Sequence, residues 1–202
     1  MRYTGPKVKK ARRLGMAFTA KDAKILQKRS YAPGQHGQNR ARVSEYGTQL
    51  REKQKMKFNY GVQEKQFRNY FTKALRQTGV TGDNLLKLLE MRLDNVIYRM
   101  GFADTRAQAR QLVSHGFFTV NGKNVNIPSF NFKVGDVVGV KENKQKSKYI
   151  EALKEKLKAY TVQEWLEVDK NKLTGKILAI PTPDLVQNII NTQLIVEHYS
   201  RT

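Results

Sequence analysis

Hydrophobic positions along the chain fall into helical stripes interrupted at glycines, and the period shortens most sharply to that of a strand between residues 117 and 140. Ser44 is placed as an N-cap ahead of a basic helix running to about Tyr60, where Gly61 stops it. The stripe Phe67, Tyr70, Phe71, Ala74 and Leu75 predicts a second helix over about 63–77; rings sharing one face are core rather than base-stacking surfaces. A turn at residues 79–82 leads to a leucine-rich helix over 83–90. Leu93, Val96, Ile97 and Met100 then repeat at i, i+3, i+4, i+7, predicting a helix that ends at Gly101 with Arg92, Asn95 and Arg99 on its wet side. Thr105 and Gln108 form a capping box for the next helix, whose buried face is Ala109, Leu112 and Val113. Beyond Gly116, residues 117–120 and 123–125 flank Asn121-Gly122, the pair suited to a type I′ hairpin turn because both central positions need positive φ. A turn at 133–136 precedes a strand over 137–140. After a lysine-rich linker (Lys141, Lys144, Lys146, Lys148), Ile150, Leu153, Leu157 and Tyr160 predict a helix, and residues 165–166 and 177–180 read as short strands. Pro181 and Pro183 mark a boundary, after which Asp184 caps a terminal helical segment. The expected class is α+β, with two helices packed on a small antiparallel sheet at its centre.

Residues 1–43 break this order. They lack a clear period, Pro33-Gly34 and Gly37 interrupt them, and Lys7, Lys9, Lys10, Arg12 and Arg13 crowd one short stretch. Such a segment buries too little apolar surface to offset the entropy of ordering, so it is expected to fold only against a partner. A solubilising tail is the alternative; Tyr3, Phe18, Tyr31 and His36 argue against it, since flat rings set among cations stack on bases.

Charge decides the kind of partner. The 202 residues are 39% hydrophobic, enough for one or two modest cores, but the net charge of +21 lies far outside ordinary globular balance and calls for a polyanion. Residues 1–60 carry 16 Lys/Arg against 3 Asp/Glu, whereas 142–202 carry 10 against 8, which makes the N-terminal third the electrostatic arm. A membrane surface is the competing polyanion. No apolar run approaches the ~18 residues of a spanning helix, and the N-terminus lacks the apolar core of a secretory signal, so a soluble cytoplasmic protein is expected. Without cysteine there are no disulfides and no thiolate metal sites.

The candidate RNA-binding residues follow from charge and facing. Arg106 and Arg110, four apart, rise from one side of their helix with no carboxylate placed to neutralise them. Arg51, Lys53, Lys55 and Lys57 coat the helix after Ser44, and the arm contributes Arg2, Lys7, Lys9, Lys10, Arg12 and Arg13 with Tyr31 and His36. Arg68, Arg92 and Lys123 complete the set, with His115, which is either a partner of its helix dipole or a phosphate contact. No catalytic site is expected: there is no Gly-rich loop with Lys-Ser/Thr, no cysteine nucleophile, and His36, His115 and His198 lie far apart. No metal or other cofactor is expected either.

The run RLDNVIYRMGFADTRAQARQLVSHGFFTVNGKNVNIPSFNFKVGDVV resembles the RNA-binding module of the small-subunit ribosomal protein S-four family. The flanks YAPGQHG (31–37), LREKQK (50–55), YGVQEKQFRNY (60–70) and QLIVEHYS (193–200) resemble the family's bacterial form, so the likeness covers nearly the whole chain in order. It implies a ribosomal protein that binds a junction in the 5′ domain of small-subunit ribosomal RNA, acts early in assembly and lies beside the messenger entry channel. It also implies an arm (1–43), a helical domain (44–90 with 181–202), and an inserted domain (91–180) holding the RNA-binding module (91–141). Arg42 best matches a basic position that lines the messenger channel in the family, and Arg40 is its near neighbour. Leu194, Ile195 and Val196 are consecutive, so one narrow helix face cannot hide all three; the resemblance implies that they meet small-subunit ribosomal protein five, and plain core packing is the competing expectation. Some relatives hold zinc with four cysteines in the arm, which are missing here. Pseudouridine synthases share the module and use an Arg-Leu-Asp motif, matched by Arg92-Leu93-Asp94. An aspartate in the first turn of a helix has a structural reason in the helix dipole, and too few strands remain to bury a flipped base.

Overall fold

The computed structural model describes residues 3, 5–39, 42–145, 147–182 and 190–201. Arg2 and Arg40, Lys146 of the linker, and the expected boundary and cap at Pro183 and Asp184 lie outside the described residues. The chain divides into two compact units, one of Met1–Leu85 with Pro183–Thr202 and one of Leu86–Thr182.

The first unit begins with helices where none was expected, α1 (Lys7–Leu14) and α2 (Ala20–Lys28). The pattern shows no period here because it does not register what long basic side chains do besides carry charge. Ala11 and Met16 are buried, and Thr19 caps α2 by accepting from the Asp22 amide at 3.2 Å. Arg12 donates to the carbonyls of Tyr31 (3.1 Å) and Ala32 (3.2 Å) and lies 4.8 Å over the Tyr31 ring. Lys10 holds its ammonium 5.0 Å from the ring centres of both Tyr3 and Phe58. These cations staple the segment through donors and apolar stems, so the rings of Tyr3 and Tyr31 already have partners within the chain.

Helix α3 (Glu45–Asn59) starts at Ser44, whose hydroxyl accepts from the Gly47 amide at 3.2 Å, and ends at the left-handed Gly61 (φ 62°). Helix α4 (Glu64–Leu75) buries Phe67, Tyr70, Phe71 and Ala74, but Leu75, expected on the same face, is 54% exposed in the last turn. Helix α5 (Thr81–Glu90) carries the buried Leu85, Leu86 and Leu89.

In the second unit, α6 (Leu93–Arg99) fully buries Leu93, Val96 and Ile97, as does the following Met100, and the chain turns out at Gly101 (φ 80°). Thr105 caps α7 (Arg106–Ser114) by accepting from the Gln108 amide at 3.2 Å, and Gln108 Oε1 in turn accepts from the Asp104 amide. Strand β1 (Phe118–Val120) turns into β2 (Lys123–Asn124) with Asn121 at φ 47° and Gly122 at φ 78°, both positive as a type I′ turn requires. After β3 (Val137–Val140) the linker forms a short helix, α8 (Glu142–Gln145), which the sequence pattern did not suggest. Helix α9 (Lys148–Lys158) buries Ile150, Leu153 and Leu157. Strands β4 (Leu166–Asp169) and β5 (Thr174–Ile177) complete an antiparallel sheet in the order β2-β1-β3-β5-β4, so the small sheet expected under the two helices is extended by two strands.

The register explains why the final strand falls earlier than residues 177–180. Val138 pairs Gly175 and Leu166 pairs Ile177, so Gly175 turns to the core, where a Cβ would come within 2.5 Å of Met100 Sδ. Leu178 and Ile180 lie past the strand and are 47% and 56% exposed. Packing position, not the β-propensity of the apolar run, chose the strand.

The chain returns to the first unit in α10 (Thr192–Ser200), capped by Asn191, whose side chain accepts from the amides of Gln193 and Leu194. It packs on α3. Ile195 is fully buried, Tyr199 stacks on Phe71 with ring centres 4.5 Å apart, Gln49 donates to Glu197 at 3.0 Å, and Arg201 pairs with Glu45 at 2.8 Å. The whole is an α+β protein.

Candidate nucleic-acid interface

The expectation that Arg92 and Asn95 stay wet is overturned: they are 2% and 1% exposed, within a hydrogen-bonded network under α7. Arg92 closes a two-pronged pair on Asp94, Nε to Oδ1 at 3.1 Å and Nη2 to Oδ2 at 2.8 Å, and Arg110 reaches the same Oδ2 at 3.3 Å. One turn away, Arg99 makes the equivalent fork on Glu90 at 3.0 and 2.8 Å. Asn95 donates to Glu90 Oε2 at 2.6 Å and accepts from Arg106 Nε at 2.7 Å. Arg106 also lies 4.0 Å from Glu90 and 4.6 Å over the Tyr98 ring.

Arg106 and Arg110 therefore do have carboxylates, a correction to the reading of α7 alone. The partners come from the segment that α7 packs against, and they match in spacing: Glu90 and Asp94 are four apart, as are Arg106 and Arg110. That matched spacing was the available signal, and reading each helix by itself missed it. Arginine suits the arrangement because its planar fork bonds a carboxylate with one edge while keeping other N–H groups for a second anion. Four guanidiniums (Arg92, Arg99, Arg106, Arg110) meet two carboxylates (Glu90, Asp94), leaving a formal excess of +2. Side-chain exposure grades outward from 3% at Arg92 through 16% at Arg106 and 17% at Arg99 to 32% at Arg110, so the innermost arginine is structural and the other three reach the surface, Arg106 and Arg110 from α7. His115 caps the C-terminus of α7 and is exposed, as is Lys123 in the hairpin.

In the first unit the basic residues divide the same way. Lys53, expected on the surface, is 7% exposed because α4 brings Glu64 to 2.8 Å from its ammonium; Lys57 bonds the other oxygen of Glu64 at 2.8 Å. Burial would raise the Glu64 pKa, but the hydrogen bonds from Lys53, Lys57 and Tyr199 outweigh it and hold the carboxyl down at about 2. Burial, followed by the bond to Glu64, pushes the Tyr199 phenol upward. Lys55 pairs with Glu52 at 2.6 Å. Lys7, Lys9, Arg13, His36, Arg42, Arg51 and Arg68 are exposed, whereas Lys10 and Arg12 are partly covered by the contacts described above. Of the three consecutive apolar residues in α10, Ile195 is core, which corrects its placement at a protein interface; only Leu194 and Val196 keep surface.

Among the described residues no group of His, Cys, Asp or Glu is arranged to hold a metal ion, and no helix is long and apolar enough to cross a membrane.

Residues 2–90 match the family model described as the ribosomal protein S4/S9 N-terminal domain, and residues 91–138 match the S4 domain. Among curated proteins, the chain is 54% identical to small ribosomal subunit protein uS4 of Chlorobaculum tepidum over 204 residues. It is 52% identical to the protein of the same name from Desulforamulus reducens over 208 residues, and 51% to that from Akkermansia muciniphila over 202 residues. Each match spans 99% of this chain and 99% of the relative.

Proposed function

The chain belongs to the family of small ribosomal subunit protein uS4, and from that premise we propose that it binds small-subunit ribosomal RNA directly, seeds subunit assembly and supports translational accuracy beside the messenger entry channel. It is a ribosomal protein and not an enzyme, and its place is in the ribosome of the cytoplasm.

The observation that carries RNA binding is the outer rank of the arginine network. Arg106 and Arg110 are anchored from behind by Asn95 and Asp94, on a chain of net charge +21. Anchored forks lose little rotamer freedom on meeting phosphates, and phosphate contacts fix register on a folded RNA. An A-form groove is too narrow for side chains to read bases, so specificity comes from the shape of the junction. His115 and Lys123 add contacts from the same unit, and the first unit supplies its own through Arg51, Arg68 and the exposed arm cations Lys7, Lys9 and Arg13, with Arg2 as a further arm contact. Asp94 is occupied by Arg92 and Arg110, which supports a structural role over that of the uridine-attacking aspartate of a pseudouridine synthase. Footprinting purified protein on small-subunit RNA tests the proposal: protection within the 5′ domain supports it, and uniform weak protection along the molecule contradicts it.

Two finer roles rest on the family likeness. Arg42, exposed ahead of α3, with Arg40 is assigned to the messenger channel; reversing both to glutamate is expected to slow translation of messengers with a strong hairpin selectively. Leu194 and Val196 are assigned to contact with ribosomal protein five, in an interface that opens when the subunit closes over a correctly paired transfer RNA. Truncation at Asn191 would also remove Ile195 and Tyr199 from the core, so the informative variant is Leu194→Ser with Val196→Ser, expected to raise misreading while RNA affinity is kept. Unchanged error rates in assembled subunits contradict that assignment.

A further inference from the structure

We infer that Asn95 is a positioning residue that aims Arg106 at RNA phosphate, an inference that rests on the RNA-binding reading above. Asn95 is 1% exposed and cannot touch RNA itself. Its amide nitrogen is committed to Glu90, donating to Oε2 at 2.6 Å and to the backbone carbonyl at 2.9 Å. With both donors committed, the amide oxygen is left to face Arg106, and it accepts from Nε at 2.7 Å. The Tyr98 ring 4.6 Å beneath the guanidinium and Glu90 at 4.0 Å complete a three-sided seat that sets the plane of the fork.

The neutral amide is the chemically informative choice. A carboxylate in its place would stand at hydrogen-bond distance from Glu90 and repel it, and would also cancel the Arg106 charge that phosphate has to meet. Glu90 makes its short fork with Arg99 and stands 4.0 Å from Arg106, so Arg106 keeps more of its charge than a second carboxylate at the Asn95 position would leave it. Asn95 thus passes orientation from a buried carboxylate to Arg106 without adding a second negative charge. Because the Arg106 side chain is 16% exposed, only an edge of it reaches the surface, so aim matters more than reach.

The test uses the full chain, a 5′-domain fragment of small-subunit RNA and a random-sequence duplex of equal length. Asn95→Leu alters no charge; it is expected to weaken binding of the 5′-domain RNA roughly tenfold, the scale of one charge-assisted hydrogen bond. Duplex affinity and the salt slope stay as they were, and Arg106→Ala costs the 5′-domain RNA less in the Asn95→Leu chain than in the parent. Arg106→Lys, which leaves the amide seat intact, guards against a folding defect: it keeps the charge but not the Nε fork, and it too loses about tenfold on the 5′-domain RNA alone. Equal weakening on both RNAs, additive losses in the double variant, or an Arg106→Lys chain that binds like the parent overturns the inference. A parent chain with no preference for the 5′-domain RNA overturns the RNA-binding reading itself. Loss on Arg106→Ala with none on Asn95→Leu overturns only the positioning role.

Discussion

Asp94→Asn removes the negative charge of a carboxylate that two guanidiniums, Arg92 and Arg110, share. Arg92 is the vulnerable one: its side chain is 3% exposed and both of its bonds to Asp94 are charge-assisted, at 3.1 and 2.8 Å. Breaking a buried, charge-assisted fork of this kind costs about 3–5 kcal/mol. Arg110, 32% exposed and 3.3 Å away, contributes at most about 1 kcal/mol because solvent screens it. At about 4–8 °C per kcal/mol for a unit of under 100 residues, the second unit is expected to melt at least roughly 12 °C lower, followed by circular dichroism of the whole chain. The matching control is Arg92→Met with Asp94→Leu, which removes both charges together; it is expected to return to within about 1–2 kcal/mol of the parent, since a buried pair replaced by apolar groups is close to neutral. The reasoning is refuted if Asp94→Asn costs less than about 1 kcal/mol, or if the double variant is less stable than Asp94→Asn alone.

Further outcomes follow from single sites. Glu64 ionises at about 2 in the folded chain against an ordinary value of 4.5, so its stabilisation is complete above pH 4.5 and fades as the pH falls through that window toward 2; Glu64→Gln is expected to flatten the acid limb of a stability–pH curve, and an unchanged limb disproves the linkage. Ile195→Ala, fully buried under α3, is expected to cost about 2–5 kcal/mol of first-unit stability in urea unfolding, whereas Leu194→Ala costs less than half as much; equal costs contradict the division between core and surface. Gly101→Ala combines a φ of 80° with a Cβ 2.7 Å from the Tyr160 ring, so it is expected to destabilise the second unit by more than about 1 kcal/mol; Tyr160, 37% exposed, can swing away from the Cβ but does not relieve the φ, so a neutral result contradicts the reasoning.

What the sequence made legible was local. The α6 stripe, the Thr105 cap and the Asn121-Gly122 turn each depend on residues within a few positions of one another, and each stands as the pattern predicted. The α1 helix has no clear period because its stabilisation comes from Lys10 on Phe58 and Arg12 on the chain at residues 31–32, contacts that periodicity does not register, whereas α2 did carry a local signal in its Thr19 cap three residues before Asp22. β5 was shifted because an inward-facing glycine under Met100 outweighed a more apolar run three residues later. The site was legible in kind and not in depth. Charge marked Arg92, Arg106, Arg110 and Lys53 alike, but only packing separates the inner residues held by Asp94 and Glu64 from the outer ones that face solvent. Glu90 and Asn95, on which the seat of Arg106 depends, carry no signal by themselves; only their spacing against α7 does.

The claim that the protein grips RNA through many phosphates is tested most directly by its affinity for the 5′-domain RNA across a range of salt. With roughly eight phosphate contacts at about 0.7–0.9 counterions each, the logarithm of affinity is expected to fall against the logarithm of salt concentration with a slope of about −6 to −7. A slope shallower than about −2 contradicts the account.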